Sequence, residues 1–302
     1  MLLCLSALAA AQAPGSRPNS AADVPSNLLD EAAALRSAGN FEGALDRYRL
    51  ALKADSKSYG AQLGLADTYA LIGEQSRARQ EYAMAMRLAR SQSQRVEAAM
   101  QSAITHLRER NFEAADIAFQ VVADRARSGR LTHLEAQAHR LMAVYQIGHA
   151  TALRHLDRAE ATLLAGRISA PERDLELARI LRVRAIKAQA NGQQELAAKS
   201  LWKLAQMASA GAGNDMVQRS YHAAAGALLM QEGKNTEAIP HLERDTGDPA
   251  SMVRLAQAYE DSGDSKAAET MRARLAALNE PTIEQAIVVP VVRAAMAKPK
   301  PE

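Results

Sequence analysis

Apolar and polar positions along the chain recur with two periods, a short one of helical spacing and a long one of 34 residues. Ala44, Tyr48, Ala51 and Leu52 share one face of an α-helix running from Phe41 to Ala54. The same face returns as Ala78, Tyr82 and Ala85, with Gly39 and Gly73 standing at identical offsets ahead of the two sets. Two apolar helical patterns around a glycine, copied 34 residues on, have the period of a helix-turn-helix unit that stacks on its neighbours. The pattern therefore predicts an array of hairpins. Such an array offers a surface and brings no chemistry of its own, so the class of activity it implies is binding.

Taken in order, the chain predicts a leader, an array and a terminal segment. Residues 14–26, rich in Pro, Ser and Ala, have little to bury and read as a flexible leader. Asn27 offers an N-cap, with Asp30 three residues on, for a first helix from Leu28 to about Ala38. Later units are legible around Ala103, Phe112, Ala115 and Phe119, with Arg110 in place of the turn glycine, and around Ala143, Gly148, Ala152, Leu156 and Ala159. Gly166, Ser169 and Pro171 mark an inserted connection, after which Ser169 and Glu172 form a capping box. The fifth unit carries Ala185, Gly192, Ala197 and Leu204, with Trp202 beside the face as packing. The sixth has Gly226, Gly233, Ala238 and Leu242; the seventh Leu255, Gly263, Ala268 and Leu275. Asp248 and Pro249 between them are a cap followed by a first-turn proline. Pro281 ends the array at residue 280. In residues 281–302 a β-branched run is interrupted by Pro290, a poor interior helix, so a short helix or extended strap covering the end of the stack is expected, then a Lys-Pro tail.

Ala32, Gly39, Phe41, Ala44, Tyr48 and Ala51, followed by Ala66, Tyr69, Gly73, Ala78, Tyr82 and Ala85, resemble the small-large-small signature of tetratricopeptide repeats. The resemblance is best in residues 25–90 and degenerates toward 280. It implies an all-α fold, a right-handed α-solenoid of about seven helix-turn-helix hairpins over residues 27–280. It also implies that the first helix of each hairpin lines a concave groove, and by register the outward residues there include Asp67, Gln137, Tyr145, Arg179, Arg182, Met230 and Gln257. Arg179 and Arg182, three apart, could grip a carboxylate, or could be salt-bridged to Glu172, Asp174 and Glu176 on an outer face. The Lys-Asn-Arg clamp by which a subgroup of the family holds chaperone tails is absent, since Leu29, Ala33 and Leu63 stand on the corresponding faces.

Composition supports helices: hydrophobic residues make up 48% and aromatics 4%, with Gly (16) and Pro (10) both scarce. The formal net charge is +3, from 37 basic and 34 acidic side chains, too balanced for a nucleic-acid binder. Between Arg77 and Lys187, however, 19 basic residues face 12 acidic ones, which would suit an acidic partner. Residues 1–13, which contain the single cysteine Cys4, read as a secretory signal without the usual leading basic residue. Export to a bacterial periplasm or cell envelope is expected, the alternative being a cytoplasmic chain. No stretch approaches the ~20 apolar residues of a membrane span.

Catalytic and cofactor patterns are not found. His133 and His139, like His149 and His155, are six apart and off one helical face; Glu135 and His139, four apart, supply only one pair where a metal needs more. Gly211 and Gly213 form a G-x-G without the strand or lysine of a phosphate loop. The expected function is a non-catalytic scaffold, without cofactor or metal, that binds a protein or peptide in its groove. The alternatives are an accessory or regulatory subunit of a cell-envelope enzyme and a self-associating assembly factor.

Overall fold

Fifteen α-helices and one 3-10 turn make up the residues described by the computed structural model, 23–210 and 215–297. The expected signal segment with Cys4, the leader up to residue 22, the G-x-G at Gly211 and the tail from residue 298 lie outside those residues. Seven antiparallel hairpins follow one another: α1 (Asp23–Ser37) with α2 (Phe41–Ala54), α3 (Tyr59–Ile72) with α4 (Gln75–Leu88), and α5 (Gln92–Arg108) with α6 (Phe112–Ser128). Then come α7 (Thr132–Tyr145) with α8 (His149–Ala165), α9 (Ala170–Ala190) with α10 (Gln194–Ala210), and α11 (Asp215–Gln231) with α12 (Asn235–Leu242). A 3-10 turn (Glu243–Asp245) leads to α13 (Pro249–Asp261) and α14 (Ser265–Ala276), and α15 (Ile283–Met296) closes the chain. Each helix packs on the next, and first helices also touch first helices two elements away, as in α7 with α9 and α9 with α11. That order of contacts is an α-solenoid.

The seam is made of small residues. Ala44, Ala78, Ala115, Ala152, Ala197, Ala238 and Ala268, one near the start of each second helix, are all fully buried. A methyl at the crossing lets two backbones approach closely, and the large neighbours Tyr69, Tyr82, Phe119, Leu156, Leu204, Leu242 and Leu275 fill the space between hairpins. Most of the hairpin turns share one left-handed residue, whereas α7 turns into α8 through extended residues, Gln146 at φ −61° and Gly148 at φ −71°. Gly73 takes the left-handed conformation at φ 97° without a Cβ to clash, and Arg110 is held in the same region at φ 59° where the pattern lacks its glycine.

Two expectations are corrected and a third is extended. The first helix begins at Asp23, not after Asn27, because Pro25 falls in the first turn, where its missing N–H costs no helical bond. Trp202 is 64% exposed and does not pack. The terminal segment is a 14-residue helix that runs through Pro290, and it reaches further than the end of the stack. Its faces lie on α13 and α14 and also on α5, placing Ile283 and Ala286 in the core beside Met100 and Ile104, and Val289 beside Met252 and Leu275. That burial outweighs the lost hydrogen bond at the proline. Just before it, Glu280 pairs with Arg36 at 3.3 Å and accepts from the Ser37 hydroxyl, while Asn279 Nδ2 donates to the Ser37 carbonyl at 3.4 Å. The array therefore curls far enough for its last connection to meet its first hairpin.

Gly64 shows how tight the seam is: a Cβ there would sit 2.3 Å from the Tyr48 ring, which is itself buried. Gly64→Ala should cost about 1 to 3 kcal/mol in urea unfolding through overpacking, whereas an unchanged midpoint would mean that α2 and α3 are not in close contact.

Candidate binding cavity

Curling leaves a half-open cavity of about 760 Å³ on the concave side. Its walls are the first helices α5, α7, α9, α11 and α13, the kind of wall the resemblance implies, together with His149 at the start of α8, residues 245–248 and the start of α15. Of the expected groove residues, Gln137, Arg179 and Arg182 line it. The others do not. Asp67 is buried between the Arg36 guanidinium at 3.2 Å and the Tyr82 hydroxyl, which donates at 2.7 Å, so its charge is spent inside the first two hairpins. Tyr145 is buried against Phe112 and Phe119 and donates to Asp116 at 2.6 Å, because the inner face of α7 meets α6 there. Met230 is half-buried against the α12–α13 core, and Gln257 is exposed and donates to Asp261 on its own helix at 2.7 Å.

Arg179 and Arg182 are also separated in role. Arg179 pairs with Glu176 one turn back at 3.4 Å, and the other oxygen of Glu176 takes Arg140 of α7 at 2.6 Å. Arg182, 14% exposed, spans the cavity wall to Asp245 at 3.2 Å and Asp248 at 2.8 Å, and donates to the Ser251 hydroxyl at 3.2 Å. Of the two readings open for this pair, Arg179 takes the salt bridge to Glu176, and Arg182 is an internal tie between hairpins five and seven. Asp248 carries two duties with one oxygen, because the same Oδ1 caps α13 by accepting from the amides of Ala250 and Ser251. Burial would lower the Arg182 guanidinium, but Asp248 and Asp245 outweigh it and raise it. Asp245, brought in by the 3-10 turn, is pushed up to about 6 by burial even so.

Sequence reasoning missed Arg140, Lys187, Arg254 and Asp245, and found Asp248 only as the cap of α13, not as a partner of Arg182. Arg140 follows Gln137 by one turn and was within reach of the register argument. The aspartates were not, since a pair 63 or 66 residues apart leaves no periodic trace.

Imidazoles meet in two places. His139 and His155 stack at 6.0 Å, and the Nδ1 atoms of His222 and His241 lie 3.1 Å apart. Neither pair gains a third ligand, and among the described residues no group of three or more His, Cys, Asp or Glu could hold a metal. Glu135 is taken by Arg127 at 2.8 Å.

No family model matches the chain, and no curated protein does. Solved structures do. A Rap protein crystallised with competence and sporulation factor superposes at TM-score 0.51 and 13% identity, over 85% of this chain and 75% of that one. The fold is a tetratricopeptide-like α-solenoid. A tetratricopeptide repeat protein from Parabacteroides merdae gives 0.46 at 11% identity, over 89% and 99% of the two chains. The APC/C hetero-tetramer Cut9–Hcn1 gives 0.48 at 14%, covering 84% of this chain but 43% of that one, so this solenoid spans under half of that protein. No described helix is long and apolar enough to cross a membrane.

Two predictions follow from the charges this solenoid buries. Arg182→Glu strands Asp245 and Asp248 and adds a third carboxylate, so it should destabilise the fold by on the order of 3 to 5 kcal/mol in urea unfolding; a loss below 1 kcal/mol would show that the tie is not made. The second concerns pH. Burial pushes Asp67 up to about 6 although Arg36 and Tyr82 favour its charged form. An unfolded aspartate titrates near ~4, so the native state binds the extra proton between those values, and this group's contribution is lost as the pH rises through about 6. His139 acts with opposite sign: burial first, then His155, Arg158 and Arg127, lower it to about 4, so its contribution is lost as the pH falls. Against wild type, the unfolding free energy of Asp67→Asn should climb between pH 4 and 6, by up to about 1.4 kcal/mol per pH unit at the steepest. Parallel curves would place Asp67 at its ordinary value.

Proposed function

We propose that the protein is a non-catalytic scaffold, exported to the cell envelope, that holds an acidic protein or peptide segment against its concave face. One observation carries the reading: five successive first helices turn side chains to a common concavity, and those that line it include six Arg and Lys against four Asp and Glu. A face built from separate hairpins suits an extended or helical segment, which meets each unit in turn. The excess of cations, with Arg140 and Arg179 sharing one glutamate, favours acidic segments. The Rap protein that shares this fold was crystallised in complex with competence and sporulation factor, which supports a binding role. The accessory-subunit reading differs only in the partner's identity.

A photocrosslinking residue tests the face directly. Placed at Gln137, inside the concavity, it should give one discrete adduct in native envelope extract, while the same residue at Ile117, 62% exposed on a second helix, should give none. Equal labelling at the two positions, or turnover of a small substrate by the purified chain, would contradict the proposal.

A further inference from the structure

Two cations on the cavity wall lack a carboxylate. Arg254 of α13 donates to the Ala250 carbonyl, one turn back on its own helix, at 3.2 Å, and Lys187 of α9 donates to the Gln146 carbonyl at the end of α7 at 2.7 Å. Among the described residues neither makes an ion pair. The carboxylates whose charge reaches Arg254, Asp248 and Asp245, are already taken by Arg182. Burial, with Arg182 adding to it, pushes Arg254 down to about 10, and burial with Arg254 adding to it lowers Lys187. Both side chains are half-buried, and a cation drawn part-way out of water without a counter-charge is costly to hold. Such an expense in a concavity is the mark of a group kept for a ligand.

The same wall holds further unspent polar atoms. Gln101 Oε1, His149 Nδ1 and Arg219 Nε are buried without a hydrogen-bond partner, and all three residues line the cavity. Between them the lining is aliphatic, chiefly Val144, Val183, Ile186 and Ile283. A volume of about 760 Å³ falls in the range of small-ligand sites, ~300 to 1,000 Å³.

We propose that this cavity binds a small carboxylate with an aliphatic body, its carboxylate seated between Lys187 and Arg254 and its body against Val144, Val183 and Ile186. The planar fork of Arg254 can take both carboxylate oxygens, while Lys187 supplies a second charge without directional demand. The carboxylate can come from a free short-chain aliphatic acid or from the last residue of a peptide. The site is separable from the scaffold role: crosslinking at Gln137 with no carboxylate binding would sink this assignment alone.

Calorimetric titration of the full chain provides the test, with octanoate, with a tetrapeptide ending in leucine as free acid and as amide, and with inorganic phosphate as probes. Octanoate or the free-acid peptide should bind, the amide should not, and Arg254→Met and Lys187→Met should each weaken binding at least tenfold. Which of the two binds names the source. Without ligand, Arg254→Met should melt at or above the wild-type temperature, since an aliphatic chain replaces a half-buried, unpaired charge. No binding of octanoate or free-acid peptide at millimolar concentration would overturn the proposal. So would phosphate binding as tightly as octanoate, or ligand binding that survives Lys187→Met and Arg254→Met unchanged.

Discussion

Close approach at one small residue per hairpin is the constraint on which this molecule depends. Seven fully buried alanines set the separation of paired helices, and the tyrosine, phenylalanine and leucine side chains beside them set the tilt from one hairpin to the next. Repeated seven times, that small rotation accumulates into curvature. Curvature then brings Glu280 to Arg36, 244 residues apart in sequence, and lays α15 across α5, α13 and α14. The concavity is thus a product of packing at a distance from it, and its volume is fixed by the seam and by the helix that bridges it.

Inside the concavity the energetics change. The seam is apolar and satisfied, but the inner wall buries Arg140, Glu176, Arg182, Asp245 and Asp248 in ion pairs whose desolvation cost is offset only where the partners meet well. Arg182 is matched by two carboxylates and a hydroxyl. Lys187 and Arg254 are matched by backbone carbonyls alone. The contrast within one wall separates charges that hold the solenoid together from charges left available.

How much of this was legible in the sequence depended on whether the cause was local. The hairpins were, because Ala78, Gly73 and Tyr82 act within a few residues of one another and their pattern repeats. The start of α1 was not, because Asn27 and Asp30 imitate a cap while Pro25 is tolerated one turn earlier. The full helix through Pro290 was not, because the burial of Ile283, Ala286 and Val289 against distant hairpins overrides a local breaker. For the cavity, helical register pointed to Gln137, Arg179 and Arg182, which share one wall. It could not tell that Asp67 and Tyr145 would be consumed by Arg36, Tyr82 and Asp116, or that a 3-10 turn would deliver Asp245 to Arg182, since those partners come from other units.

Closure of the array on itself is what makes a surface into a cavity, and it can be measured with two cysteines. In a chain with Cys4→Ser, Ser37→Cys and Glu280→Cys should form an intramolecular disulfide under mild oxidation, seen as a faster monomer band on a non-reducing gel. The closed solenoid predicts rapid and near-complete conversion. Persistence of two free thiols in the folded protein would show an open array, and with it no enclosed site.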